Sequence, residues 1–284
     1  MRAVASPEWS FGRDSDLLRR MRDILESEEL WVHDCSSDID MNRSITAFSG
    51  PWSRVQNSLY KLCELAFDRI NLSRHLGTHP RTGALDLCPV FSVSADDVES
   101  FASGLAERFS LPTFLMESSM RPGREPEIES IREGGFGGLF FRLPNPDFGP
   151  QDPHPQLGVA LVGLCEPNVA FDLVFKAEDQ RAAKDMVSKI EELRSDGDLR
   201  FLGLSAAVCQ LPTQGMCALR VKSSTPSLAS VDDVVEWMID RCGRHGVSFM
   251  GAVLRGAIWE SHLAGCTRLR IKKTQVVSKE LPVG

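Results

Sequence analysis

Thirteen residues, Arg74-His-Leu-Gly-Thr-His79-Pro-Arg-Thr-Gly-Ala-Leu-Asp86, constrain this chain more than any other stretch. They crowd two histidines, two arginines and an aspartate onto a segment that can be neither helix nor ordinary strand. Gly77 and Gly83 supply permissive backbone, and Pro80 fixes its own φ while pushing His79 out of the helical region. Such a segment must be a loop organised around its side chains. Helices and strands on either side have to hold it.

The flanking pattern supplies them. Ser94 precedes an apolar series at Val98, Phe101, Ala102, Leu105, Ala106 and Phe109, with Asp97 placed to close a capping box. Ser230 and Asp233 repeat the device ahead of Val234, Val235, Met238 and Cys242. Similar stripes over residues 14–26, 53–70 and 183–193 read as helices lying on a sheet. Strand-like runs fall at 30–33, 44–48, 88–93, 159–164, 170–175, 202–208 and 217–221. From Ala170 the order is strand, helix, strand, strand, helix, strand, the split βαβ (ferredoxin-like) pattern, and the first half has a similar cadence. The segment from Arg121 to Pro155 breaks the rhythm with seven prolines and a glycine cluster at 134–138. It reads equally as a surface connection or as a strap lining a ligand site.

Bulk numbers exclude several classes. A net charge of -7 over 284 residues, with no Lys/Arg-rich run, argues against nucleic acid as a partner. The longest apolar runs are too short to cross a bilayer, and the first residues lack a secretory apolar stretch. The eight cysteines are scattered with no C-x-x-C pair, so buried thiols in a reducing cytoplasm are expected.

Chemistry narrows to the His/Arg loop. His75 and His79 are four apart, but Gly77 and Pro80 prevent the helix that would make them a metal pair. The histidines at 33, 154, 245 and 262 add no spaced third ligand, so no metal is expected. No nucleophile elbow is present, and Gly134–Gly138 lacks the context of a phosphate loop. Acid–base work remains, since an imidazole takes and returns protons near neutrality. Arg74 and Arg81 suit carboxylate recognition, and Asp86 can orient a ring or hold an arginine. A loop merely tied down by its histidines is the plain alternative.

The loop also resembles the signature of the glutamate formimidoyltransferase family, R-H-x-G-x-H-P-R-x-G-A-x-D-x-x-P. Asp34-Cys-Ser-Ser-Asp38-Ile-Asp-Met-Asn42-Arg43-Ser44 resembles the family's D-x-x-S-D-x-D-x-N-R followed by Ser or Thr. Residues 131–139 resemble its helix-and-glutamate segment, and Pro146-Asp-Phe-Gly149-Pro150 through Gly158 resembles its folate-contacting strap. The resemblance implies transfer of a formimidoyl group from N-formimidoyl-L-glutamate to tetrahydrofolate as co-substrate. It implies an α/β (α+β) chain of two ferredoxin-like βαββαβ-type subdomains, 1–167 and 168–284, each a mixed sheet covered by helices, with a ligand tunnel between them. It further implies a homodimer and, with no cyclodeaminase region, no ring closure.

By the same resemblance His79 is the catalytic histidine. Folate contacts fall on Gly149, Pro150, Gln151, Asp152, Pro153, His154, Pro155, Gln156, Leu157 and Gly158. Substrate-binding candidates are Asp38, Asn42, Arg43, Arg74, His75, Arg81 and Asp86. Several positions depart from the family pattern. V-P-N-F-S-E-G is replaced by Ser6-Pro7-Glu8-Trp9-Ser10-Phe11-Gly12, and an expected arginine is Cys165. Alternating asparagines become Asp172 and Val174, and an acidic or amide residue near Gly251 becomes Val253. A catalytically silent homologue that binds folate or a protein partner is therefore the second expectation.

Overall fold

Helix ends follow local chemistry. The computed structural model describes residues 2–124, 130–226, 230–244 and 246–278, which leaves His245 outside the described residues. Asp14 caps helix α1 (Ser15–Ser27) by accepting from the Leu17 amide, and Leu17, Met21 and Leu25 bury one stripe. The expected capping box of Ser94 and Asp97 opens α3 (Ala95–Phe109), which ends at Ser110 in the left-handed region. Between them α2 (Trp52–Phe67) buries Val55, Leu59, Leu62, Cys63 and Ala66.

The chain divides into two compact units, with the boundary after Glu166. In the first, β1 (Ala3–Ala5) and β2 (Glu8–Trp9) form one strand interrupted at Ser6–Pro7, where Pro7 has no N–H to offer a ladder. Both pieces lie between β4 (Arg43–Gly50) and β5 (Leu85–Phe91), antiparallel to each. β3 (Trp31–Asp38) flanks β4. The chain then runs from β5 through α3 to β6 (Thr113–Glu117). The long strap returns it as β7 (Ala160–Leu164), inserted parallel between β5 and β6. Among the described residues this is a seven-stranded mixed sheet. The helical stripes pack on Trp9, Phe48, Leu85, Cys88 and Val90. Fully burying each such side chain is worth about 1.5–3 kcal/mol.

In the second unit, β8 (Val169–Lys176), α5 (Gln180–Ser195), β9 (Leu204–Leu211), β10 (Met216–Ser223), α6 (Val231–Arg244) and β11 (Phe249–Arg255) follow in turn. The sheet order is β11-β8-β10-β9 and every pair is antiparallel. Phe171, Leu173, Phe175, Leu219 and Val221 bury one face with Met186, Ile190, Val235 and Met238 from the helices. At the head of α6 the Ser230 hydroxyl donates to the Gly265 carbonyl, and Asp232 accepts from the Thr267 and Arg268 amides.

The strap is not wholly irregular as its composition suggests. Gly135–Arg142 forms helix α4, anchored by buried Leu139 and entered through Gly134 at φ +78°. Its far end is fixed harder. Gly158 sits at φ +70°, and a Cβ there would lie 2.0 Å from the Thr82 carbonyl oxygen. Gly158→Ala is expected to cost about 1–3 kcal/mol from the forced conformation. Urea unfolding checks this as a lowered midpoint at unchanged slope.

Candidate functional site

The His/Arg loop is built backbone-first. After α2, the Asn71 carboxamide accepts from the Ser73 amide and hydroxyl, turning the chain through a single 3-10 turn at Leu72–Arg74. The Asp38 carboxylate accepts from the Asp40 and Met41 amides, shaping the β3–β4 turn against which the loop lies. Asn42, at φ +52°, accepts from the Gly12 amide at 2.7 Å and donates to the Leu76 carbonyl at 3.0 Å. A Cβ on Gly77 would lie 2.2 Å from the Met41 carbonyl oxygen, so only glycine allows this approach. His75 turns inward, its Nε2–H donating to the Asn42 carbonyl at 2.9 Å, while Arg81 donates to the His75 carbonyl.

Beneath the loop lies a buried ion network. The Arg43 side chain is 2% exposed and donates to Asp86 at 2.6 Å and to Glu8 at 2.5 Å. Its Nη1 also reaches the Pro80 carbonyl at 3.3 Å. Asp86 accepts in addition from the Thr82 amide and hydroxyl and the Gly83 amide. Burial alone would raise the Asp86 carboxyl. Arg43, Arg132 and the Thr82 N–H outweigh it and hold the group well below the usual carboxylate range. A charge this deep persists only because it is paired and hydrogen-bonded.

His79 stands on top, half-buried, in a cavity of about 430 Å3 lined by Gly77, Thr78, Arg81, Arg132 and Gly134–Gly137. Its Nδ1–H donates to the Pro80 carbonyl at 2.5 Å, which places the ring's lone pair on Nε2. Arg81 faces the same space. Arg43 is consumed by its ion pairs, and Arg74 is exposed and lines neither this cavity nor the next. Arg132 was missed from sequence; its signal was adjacency to the glycine cluster that forms the cavity wall. A second cavity, of about 480 Å3, is lined by Ser10, Arg13, Asn42, Arg69, Asn71 and His75 among others.

The strap meets the loop edge-on. Gly158 and Gly83 bridge, and the Val159 amide donates to the Thr82 carbonyl. The Ala84 amide reaches the Leu157 carbonyl, and the Leu72 amide reaches that of Gln156. His154 Nδ1 accepts from the Gln156 and Leu157 amides, closing the turn through Pro155. Burial holds that imidazole below its ordinary pKa. Gly149, Pro150, Gln151 and Asp152 are exposed, and Pro153 is half-buried. Among the described residues, no three His, Cys, Asp or Glu side chains gather as a metal site, and no helix is long and apolar enough to cross a membrane.

This arrangement coincides with a family match. The model of the formiminotransferase domain, N-terminal subdomain, covers residues 2–165 and so ends at the boundary between the units. The chain belongs to the formiminotransferase family. It is 34% identical to the glutamate formimidoyltransferase of Streptococcus pyogenes serotype M1, over 49% of this chain and 50% of that protein. It is 27% identical to the formimidoyltransferase-cyclodeaminase of Dictyostelium discoideum, over 69% of this chain and 39% of that protein. The glutamate formimidoyltransferase of Thermoplasma acidophilum is 26% identical, over 69% and 68%. The chain thus spans about half the length of the first curated relatives it matches.

The departures from the family pattern have structural partners. Glu8 pairs with Arg43, Phe11 joins the core, and Cys165 is buried with its thiol on the Gly163 carbonyl. Asp172 accepts from Nε and Nη2 of Arg220 at 2.9 and 3.0 Å and faces Val253 on β11, beside half-buried Val174. The charges these changes bring in are therefore neutralised.

His75 gives a pH signature. Burial, with Arg81, Arg13 and Arg43 nearby, lowers its pKa from 6.5 to about 4 despite the bond to Asn42. Between those values the unfolded chain binds a proton that the folded one refuses, so stability falls as pH drops through that window. Denaturant titrations from pH 7 to 4 should show this decline, and His75→Gln should flatten it.

Proposed function

We propose that this formiminotransferase-family chain is an enzyme that moves the formimidoyl group of N-formimidoyl-L-glutamate to N5 of tetrahydrofolate, with His79 as general acid and base. The observation that carries this reading is His79 itself: its ring faces a cavity walled by two arginines, and its Nδ1–H is held by the Pro80 carbonyl. Nε2 is then the basic nitrogen. As N5 attacks the formimidoyl carbon, its proton passes to Nε2. When the carbon–nitrogen bond to glutamate breaks, the imidazolium returns a proton to the departing nitrogen. Arg81 and Arg132 supply positive charge for carboxylates.

The match over residues 2–165 and the relatives' names support the reaction class. Tetrahydrofolate acts in this scheme as co-substrate, with the strap from Gly149 to Gly158 offering its contacts. The strand order of the second unit supports a ferredoxin-like assignment for it. A homodimer in the cytoplasm belongs to the same proposal.

Purified protein incubated with both substrates tests it. Turnover is expected, and His79→Ala should reduce kcat by about 10²–10⁴-fold. Equal rates for the two proteins contradict the role of His79. Absence of turnover together with calorimetric binding of a folate analogue would establish the silent, folate-binding homologue instead.

A further inference from the structure

The Pro80 carbonyl accepts two hydrogen bonds, from His79 Nδ1 at 2.5 Å and from Arg43 Nη1 at 3.3 Å. A carbonyl oxygen has two lone pairs, so both donors are accommodated and each restricts where the oxygen can point. One of these donors cannot wander. Arg43 is fully buried, and two carboxylates hold its guanidinium: Asp86 from β5 and Glu8 from β2. A charge network that lines no part of the cavity thus bears on the imidazole from below, through one peptide oxygen.

We propose that Arg43 and Glu8 are positioning residues for His79, acting through the Pro80 carbonyl to hold the imidazole in the Nδ1–H tautomer with Nε2 turned to the cavity. Glu8 is this chain's own component, since the family resemblance calls for asparagine there. Shorter by a methylene and uncharged, asparagine cannot make the same ion pair with Nη2. Glu8 completes a three-point clamp in which Asp86 takes one side of the guanidinium and Glu8 the other. Without Glu8 the Nη2 side of the guanidinium loses its anchor, and the Nη1 directed at Pro80 is steadied by Asp86 alone of the two carboxylates. The Pro80 carbonyl is then held less firmly, and the alternative imidazole tautomer becomes accessible. The proposal rests on His79 being the acid–base group.

Nitrogen chemical shifts of 15N-histidine-labelled protein, without substrate, test the positioning. His79 signals are assigned by their loss in His79→Gln. The wild type should show a protonated Nδ1 and an unprotonated Nε2. Glu8→Ala should show averaged shifts, a kcat lowered about tenfold and a KM within twofold. Glu8→Gln, whose amide oxygen still accepts from Nη2, should keep the wild-type pattern and most of kcat. The Nε2–H form in wild type, or an unchanged pattern in folded Glu8→Ala, overturns the proposal. Should Glu8→Ala not fold, the wild-type pattern decides. A protein with the expected shifts and Glu8 sensitivity but no turnover contradicts only the transferase reading.

Discussion

The buried ion pair of Arg43 and Asp86 joins parts of the chain that local forces leave apart. Arg43 begins β4 and Asp86 lies in β5, and their side chains are almost wholly removed from water. Asp86 also gathers the Thr82 and Gly83 amides, which fixes the turn at the end of the His/Arg loop. A charge in such a place is costly unless its partner is held in register. Here the sheet does the holding, because β1 and β2 bridge β4 and β5 along their length. Sheet register, ion pair and loop shape are one cooperative arrangement.

The strap depends on that arrangement in turn. Gly158 passes so close to the Thr82 carbonyl that the turn and the strap must be placed together. The strap then delivers β7 into the gap between β5 and β6. The segment that looks most dispensable by composition thus inserts an interior strand. Its glycine cluster does double service, starting α4 and lining the cavity beside His79.

Much of this was legible in the residues. The helical stripes and the Ser94/Asp97 box are short-range signals, and α1, α2, α3, α5 and α6 lie where those stripes fall. The His/Arg loop declared itself through Gly77, Pro80 and Gly83. Strands β1 and β2 were invisible because two and three residues carry no alternation. β6 has only three apolar residues in a row, Phe114 to Met116, between Thr113 and Glu117, too few to show an alternation. The predicted strand start at Leu202 falls in an exposed turn, and β9 begins at Leu204. Within the site, Arg43 was recognisable as a candidate, but its burial was not. Its partners lie 35 and 43 residues away, and such pairing leaves no local trace. Glu8 read only as a departure from the family pattern for the same reason.

A double-mutant cycle on Arg43→Met and Asp86→Leu probes the central interaction. Arg43→Met strands the buried Asp86 carboxylate, Asp86→Leu leaves the Arg43 guanidinium with Glu8 as its one carboxylate, and each is expected to lose about 3–5 kcal/mol of stability. The double variant should lose much less than the sum, with the two changes coupled by more than about 1 kcal/mol. Additive losses would mean that the two side chains do not depend on one another, and that something else holds the His79 loop in place.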